Sequence, residues 1–392
     1  MSNTLVSKFQ AVEQALSDRY FERVKESRCA VLAILSGKHM FIVGPPGTAK
    51  TALIRDLSKM VALDDEEYFP WLMTKYTTPE EIFGPPSFEG LKAGRMERMT
   101  AHKLPRAKIA LLDEIFKGSS SINNTLLTIM NERVFYNGED TDEVPLSSLF
   151  ALSNELADDE ALSAIWDRLL LRFQVDHLRE RSNFEALLIA AANREEPQAI
   201  VDWSEVEEAQ EQVRKVTMPD NVFAAMVGLR ESLQAQGVRP SDRRWVECLP
   251  VIRAEAWLSG RDKVTIRDLR ILQHVLWDRP DDIHPVQKVV LEVADPLEKR
   301  VVELLRDISD QEDSFENGRV DTDDPRALAR ESVEIKHKLD KIRDEIKEIK
   351  KTDGADEIDL LPTLEGRFRH VAARLVTEGF GIRNVKNAGM ET

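Results

Sequence analysis

The sequence predicts an α/β protein: a parallel sheet flanked by helices, followed by an α-helical lid and a helical C-terminal region. Three observations carry that prediction. Short apolar runs alternate with amphipathic stretches through Trp277, the pattern of α/β units on a parallel sheet. One such run leads into GPPGTAKT, a glycine-rich turn followed by the amphipathic stretch TALIRDLSKMV. Val201–Trp277 then reads as mostly helical, without another buried strand.

The buried strands are expected at Met40–Gly44, Tyr68–Met73, Lys108–Asp113, Leu149–Ser153 and Arg172–Val175. Helices are expected between them, including Ala49–Val61, with Leu53, Leu57 and Val61 on one face, and Ser120–Arg133. The domain reading is residues 1–195 for the nucleotide-binding core, 196–280 for the lid and 281–392 for a helical accessory region. In the last, Asp307–Pro325 is acidic and poor in large apolar residues, which predicts a solvated loop or hinge. Beyond it, Leu328, Ser332, Ile335, Leu339, Ile342, Ile346 and Ile349 recur in alternating four- and three-residue steps. That heptad seam predicts a helical hairpin packed on Ile283–Leu305, with an intersubunit coiled coil as the alternative.

Composition narrows the function. The 392 residues hold 54 Lys and Arg against 70 Asp and Glu, a net charge of -16, which disfavours unselective binding to nucleic acid. Cys29 and Cys248 are the two cysteines and no Cys/His cluster exists among them and the seven histidines, so a zinc site has no support. No apolar run reaches the ~20 residues that span a bilayer, and no signal peptide opens the chain. No membrane insertion and a cytoplasmic location are expected.

The chemistry starts at Gly44, Pro45, Pro46, Gly47, Thr48, Ala49, Lys50 and Thr51. A glycine-rich loop between a buried strand and a helix turns backbone N–H groups toward phosphate oxygens. Gly44 and Gly47 are expected at positive φ, and Ala49, where glycine is usual, at negative φ. Lys50 would meet the β- and γ-phosphates, and the Thr51 hydroxyl would ligate Mg²⁺. KIALLDEI delivers Asp113 and Glu114 at a strand end. Asp113 would hold the Mg²⁺ shell and Glu114 would activate water. LFALSNE places Asn154 at another strand end, where its amide would help hold that water. ATP or ADP with Mg²⁺ is the expected ligand set. Tyr20 and Phe21 lie in a suitable place for contacting the base.

The ordered set GPPGTAKT, LLDEI, NTLLTIMNERVF, LSNE and WDRLLLRF resembles the MoxR group of AAA+ ATPases over roughly Asp18 to Trp277. Within that group, YFERVKESRCAVLAILSG and LMTKYTTPEEIFGP are most similar to the RavA branch, without that branch's additional β-rich domain. The resemblance implies a homo-hexameric ring. It implies that Arg168 is an arginine finger reaching a neighbour's γ-phosphate, and that Arg243, or Arg244 beside it, is the sensor-2 arginine of the lid. Thr77–Leu104 matches the helix-2 insertion, flanked by Arg95, Arg98 and Arg106, and Phe135–Pro145 matches the hairpin before the sensor strand. It further implies a chaperone-like remodeller or loader of a von Willebrand factor A (VWA) domain protein, driven by ATP-linked closure of the lid on the core. The alternative is a nucleic-acid-stimulated motor like the related helicases and restriction ATPases. A nucleotide-dependent structural ring with little turnover is a third reading.

Overall fold

The computed structural model describes residues 3–156, 163–192, 195–321, 325–352 and 360–379. The chain divides into two compact units, Met1–Val286 and Gln287–Thr392.

In the first unit, α1 (Asn3–Arg19) and α2 (Val24–Ser36) lead into β1 (His39–Val43), and α3 (Lys50–Met60) follows the glycine-rich loop. β2 (Tyr68–Leu72), α4 (Pro79–Phe83), α5 (Phe88–Lys92), β3 (Ile109–Asp113) and α6 (Ser120–Glu132) come next. After these run β4 (Val134–Asn137), β5 (Asp140–Glu143), β6 (Ser148–Ser153), α7 (Ser163–Arg168), β7 (Leu169–Gln174) and α8 (Arg181–Ala192). Five strands form one sheet in the order β2-β3-β6-β1-β7, and every pairing is parallel. Every residue of β1 and of β6 is buried. A parallel sheet covered by helices on both faces requires this, and so these strands read as unbroken apolar runs. All five expected strands are present, with no end displaced by more than three residues.

Register fixes where the chemistry can occur. Val43, the last residue of β1, pairs with Gln174, and His39, the first, pairs with Leu169. The glycine-rich loop thus leaves from the carboxyl edge, while Arg168 precedes β7 at the amino edge, about 13 Å away along the strands.

Residues Thr77–Leu104 and the acidic hairpin are joined to each other. The Arg98 amide donates to Asn137 Oδ1 at 2.6 Å, and β4 pairs antiparallel with β5. Each flanking arginine meets a carboxylate: Arg95 with Glu97 at 2.7 Å, Arg98 with Glu80 at 3.2 Å and Arg106 with Asp142 at 3.6 Å.

The second helical layer holds α9 (Trp203–Lys215), α10 (Asp220–Ala235), α11 (Asp242–Glu247) and α12 (Leu249–Leu258), then a 3₁₀ stretch over Ile266–His274. It is fastened to α1 and α2. Phe9 meets Trp257 edge-on at 5.7 Å, and Gln10 donates to the Leu258 carbonyl. The buried Glu255 carboxylate accepts from Arg28 and Arg270. Burial pushes that carboxyl up, but the two guanidinium groups outweigh it and hold it below the ordinary range. The layer therefore packs on α1 and α2.

α13 (Pro280–Ala294) leads from the first unit into the second, where α14 (Pro296–Asp321), α15 (Pro325–Lys351) and α16 (Leu361–Arg374) share a core. The expected loop over Asp307–Pro325 is instead helical through Asp321. Its acidic residues mask a sparse stripe, since Val301, Leu304, Ile308, Gln311 and Phe315 are buried at helical spacing. The heptad seam is real over Ile335, Leu339, Ile342, Ile346 and Ile349, all buried with Ser332; the Leu328 side chain lies outside the described residues. Its partners are the α14 stripe and Leu364, Phe368 and Val371 of α16, so the hairpin gains a third helix. Residues 322–324, and those beyond Gly379, lie outside the described residues.

Candidate nucleotide site

The loop after β1 has the expected cradle, with two changes in how its residues achieve it. Ala49 sits at φ 63°, ψ 16°, so the left-handed conformation falls on alanine, at a cost of about 1–2 kcal/mol. The expectation of negative φ there was wrong, and the usual glycine has a backbone reason. Gly47 does adopt φ 83°. Gly44 is not at positive φ; a Cβ there would stand 2.2 Å from the Val175 carbonyl oxygen, so it is glycine because β7's continuation passes too close.

Lys50 opens α3 with its ammonium gathered by the Gly44 and Pro45 carbonyls, at 2.5 and 2.9 Å, and by Asn154 Oδ1 at 3.1 Å. Burial lowers its pKa, against the pull of Asp113 and Glu114. The Thr51 hydroxyl donates to Asp113 Oδ2 at 3.0 Å. Asn154 turns its other end to Glu114, its amide donating to Oε1 at 2.5 Å, while Lys117 stands 3.4 Å from Oε2. Glu114 holds φ 56°, a strained backbone of the sort that clusters at functional sites. The structure thus joins Lys50, Thr51, Asp113, Glu114 and Asn154 at one edge of the sheet. The donor set fits Mg²⁺: one hydroxyl and one carboxylate leave most positions to phosphate and water, as this ion prefers. Among the described residues no group of three or more His, Cys, Asp or Glu forms a protein-only metal cage.

Beside Gly47, Thr48 and Ala49 lies a cavity of about 380 Å³, lined by Arg19, Tyr20, Phe21, Arg23, His177, Leu178, Phe184 and Leu187. It has the size and mixed lining of a site for a flat heterocycle. Tyr20 and Phe21 are there as expected; the α8 contribution was missed. Glu22, at φ 58°, builds this wall by accepting the Arg179 and Glu180 amides and the Asn183 side chain.

Arg168 and Arg243 are elsewhere. Arg168 Nε and Arg243 Nη2 both donate to Asn131 Oδ1, at 2.9 and 2.5 Å, at the amino edge of the sheet. Burial, and then Arg243, lower the Arg168 pKa. The structure brings Arg243 to Arg168, not to Lys50. Arg244 is a different kind of residue. It is buried, donating to Asp278 at 2.7 Å and Asp167 at 3.3 Å, and Asp278 also receives buried Arg172 at 2.9 Å. This pins the start of β7 to the end of the lid layer and leaves Arg243 as the arginine available to a ligand. Asn131 had no signal in the sequence beyond its place in NTLLTIMNERVF.

A family model described as the MoxR domain in the MoxR-vWA-beta-propeller ternary systems matches residues 7–217. The chain belongs to the MoxR group of AAA+ ATPases. An AAA lid domain model matches residues 221–290 of this MoxR-type chain. An uncharacterised protein of Methanocaldococcus jannaschii is 33% identical over 366 residues, covering 90% of this chain and 94% of the relative. A second from that organism is 36% identical over 286 residues, covering 73% and 75%. The crystal structure of a candidate ATPase from Cytophaga hutchinsonii superposes with a TM-score of 0.61 at 18% identity, over 74% of this chain and 95% of that one. That likeness bears on the fold alone. No described helix is long and apolar enough to cross a membrane.

Proposed function

We propose that this MoxR-type chain hydrolyses ATP with Mg²⁺ in a homo-hexameric ring, and that it remodels or loads a VWA-domain protein. The observation that carries the catalytic part is the division of labour across one sheet. Lys50, Thr51, Asp113, Glu114 and Asn154 stand at the carboxyl edge, and Arg168 with Arg243 at the amino edge. That separation within one chain supports a head-to-tail neighbour as the source of the arginines.

In that arrangement the loop amides and Lys50 bind the β- and γ-phosphates, and Thr51 with Asp113 would hold Mg²⁺, which supplies charge neutralisation to the phosphoryl group. Glu114, oriented by Asn154, takes a proton from the attacking water. Arg168 and Arg243 of the neighbour stabilise charge on the transferring oxygens. Both arginines then serve in trans, with Arg243 as the sensor-2 arginine. Domain limits of 1–195, 196–280 and 281–392 are kept as part of this proposal, as is a cytoplasmic setting. The VWA partner is supported by the name of the matching family model; the RavA branch rests on the two sequence stretches quoted above.

The test is Mg²⁺-dependent phosphate release by the purified chain, abolished in Lys50→Ala and Glu114→Gln. Mixing Arg168→Ala with Glu114→Gln subunits should restore part of the turnover, because some interfaces then pair an intact base with an intact arginine. Hydrolysis that survives Glu114→Gln, or mixtures that never recover, would refute the shared site.

A further inference from the structure

Another cavity, of about 470 Å³, lies at the amino edge of the sheet, beside Gly37 and Lys38 at the entry to β1 and Ser147 at the entry to β6. The glycine-rich loop leaves from the opposite edge. The charged residues lining this cavity are Lys38, Arg133, Arg214 and Arg243 against Glu207 and Glu247, an excess of cations in a chain whose net charge is -16. Both carboxylates are engaged, Glu247 by Lys38 and Glu207 by the Trp203 indole at 3.0 Å. A smaller hollow shares Ser36, Gly37, Gln210 and Arg214 with the cavity and adds Arg253 of α12.

Arg243, Arg253 and Arg133 have no carboxylate partner among the described residues. Arg243 is held by Asn131. Arg253 makes no hydrogen bond or ion pair among the described residues, and its Nε is buried without an acceptor. Arg133 rests on backbone carbonyls, those of Gly37 at 2.9 Å and Ser147 at 3.1 Å. Its Nη1 lies 3.2 Å from His39 Nε2, but the tautomer makes that contact a meeting of two donors. His39 Nδ1 accepts the Leu149 amide at 2.9 Å, so the neutral ring carries its proton on Nε2, toward the Met130 carbonyl. Burial, and then Arg133, hold the His39 pKa well below its ordinary value and keep the ring neutral. Burial also pulls the Arg133 pKa down to about 10, against the opposing pull of Glu247. A cation taken from water without a counter-ion is costly, and a guanidinium fork matches the oxygens of a phosphate group.

We propose that this cavity binds a compact polyphosphate anion of diphosphate size, and that the bound anion draws Arg243 from Asn131 and slows turnover. The volume is that of a small-molecule site, and a diphosphate has oxygens to offer to the cavity and to the adjoining hollow. Asn131 and Arg243 both stand in the wall, so the anion competes with Asn131 Oδ1 for the Arg243 guanidinium. A charged acceptor wins that competition against a neutral amide oxygen. The effect on turnover rests on the reading that Arg243 serves a neighbour's nucleotide; the binding does not.

Calorimetry on the full chain, without Mg²⁺ and in a Lys50→Ala background that disables the loop, measures pyrophosphate binding at this site. One site per chain is expected, weakened roughly tenfold by Arg253→Gln. That variant should melt like its parent, because Arg253 has no protein partner to lose. Arg369→Gln, at an exposed arginine of α16, should leave the affinity unchanged. No binding of pyrophosphate, or an equal loss in Arg369→Gln, would overturn the site. Kinetics of the Lys50-containing chain, with Mg²⁺ in excess over ATP and pyrophosphate, tests the second half. Pyrophosphate on the loop raises KM alone, whereas pyrophosphate in the cavity lowers kcat, by roughly threefold or more at saturation. Arg253→Gln should keep its full kcat with the anion present. Binding in the calorimeter with kcat unmoved would overturn the control of turnover and leave the site standing. A wild-type chain that hydrolyses no ATP would overturn the ATPase reading instead, and the calorimetry would still decide the site.

Discussion

Removing the Asn131 side chain should disable catalysis without loosening nucleotide binding. Its Oδ1 accepts from Arg168 Nε at 2.9 Å and from Arg243 Nη2 at 2.5 Å, so one oxygen fixes two like charges at a common spacing. A hydrogen bond to a charged group contributes about 1.5–3 kcal/mol when buried. Arg243 is exposed and Arg168 only partly buried, which reduces each to about 1 kcal/mol. Losing both in Asn131→Ala amounts to about 2 kcal/mol of positioning, or roughly a 30-fold fall in kcat. Arg168 keeps a second anchor on the Ala164 carbonyl at 2.5 Å, so the fall should stop short of that in Arg168→Ala. KM for ATP should stay within about twofold, because Asn131 lies across the sheet from its own chain's loop. Asn131→Asp keeps an acceptor and should retain most of the turnover. Steady-state kinetics at a concentration where the wild type is assembled gives the split. An Asn131→Ala enzyme as fast as wild type, beside an inactive Arg168→Ala, would refute the positioning argument; a raised KM with intact kcat would refute the separation of the two edges.

Three further outcomes follow from local geometry. Ala49→Gly should relieve about 1 kcal/mol of left-handed strain and lose about half of that to backbone freedom, for a small net stabilisation in urea unfolding; a clear loss would contradict the φ of 63° at this position. Phe184→Ala should weaken binding of a fluorescent adenine nucleotide about fivefold, the equivalent of roughly 1 kcal/mol of apolar contact, and unchanged affinity would remove α8 from the cavity wall. Asp278→Ala takes a shared carboxylate from the buried Arg172 and Arg244, leaving Arg244 with Asp167 and Arg172 with backbone carbonyls; a fully buried pair would cost about 3–5 kcal/mol, and the half-exposed carboxylate lowers this to about 2 kcal/mol. Burial raises the Asp278 carboxyl, but Arg244 and Arg172 outweigh it and hold the pKa below the ordinary range. Its contribution is therefore full above the unfolded carboxyl's pKa of about 3.9 and is lost as pH falls through the lower folded value. The gap between wild type and variant in urea unfolding should be full at neutral pH and shrink below about pH 4; a gap independent of pH would refute the ion-pair account.

The parts legible in the sequence are those whose cause is local or repeats. Strands buried on both faces leave apolar runs, so β1, β3 and β6 could be read directly. Lys50, Thr51, Asp113, Glu114 and Asn154 sit at ends of such runs, and a parallel sheet brings strand ends together. What failed depended on surroundings absent from the string. Arg243 and Arg244 are adjacent and alike; only the approach of Asp278 and Asp167 buries the second and leaves the first exposed. The acidic stretch from Asp307 looked like loop because charge was more conspicuous than Ile308 and Phe315, whose burial depends on two other helices. At Ala49 the chain's hand could not be read at all, since the alanine gives no sign of the φ imposed by the loop around it.

The fastening of Glu255 to Arg28 and Arg270, together with Phe9 against Trp257, bears on how the first unit comes apart. Helices from the start of the chain are bound into the lid layer, so the lid cannot shed its contacts without exposing apolar surface that also covers the sheet. Calorimetry on this unit should record a single cooperative endotherm in place of separate lid and sheet transitions. In the proposed ring, any movement of the lid layer would then be passed to the helices that cover the sheet.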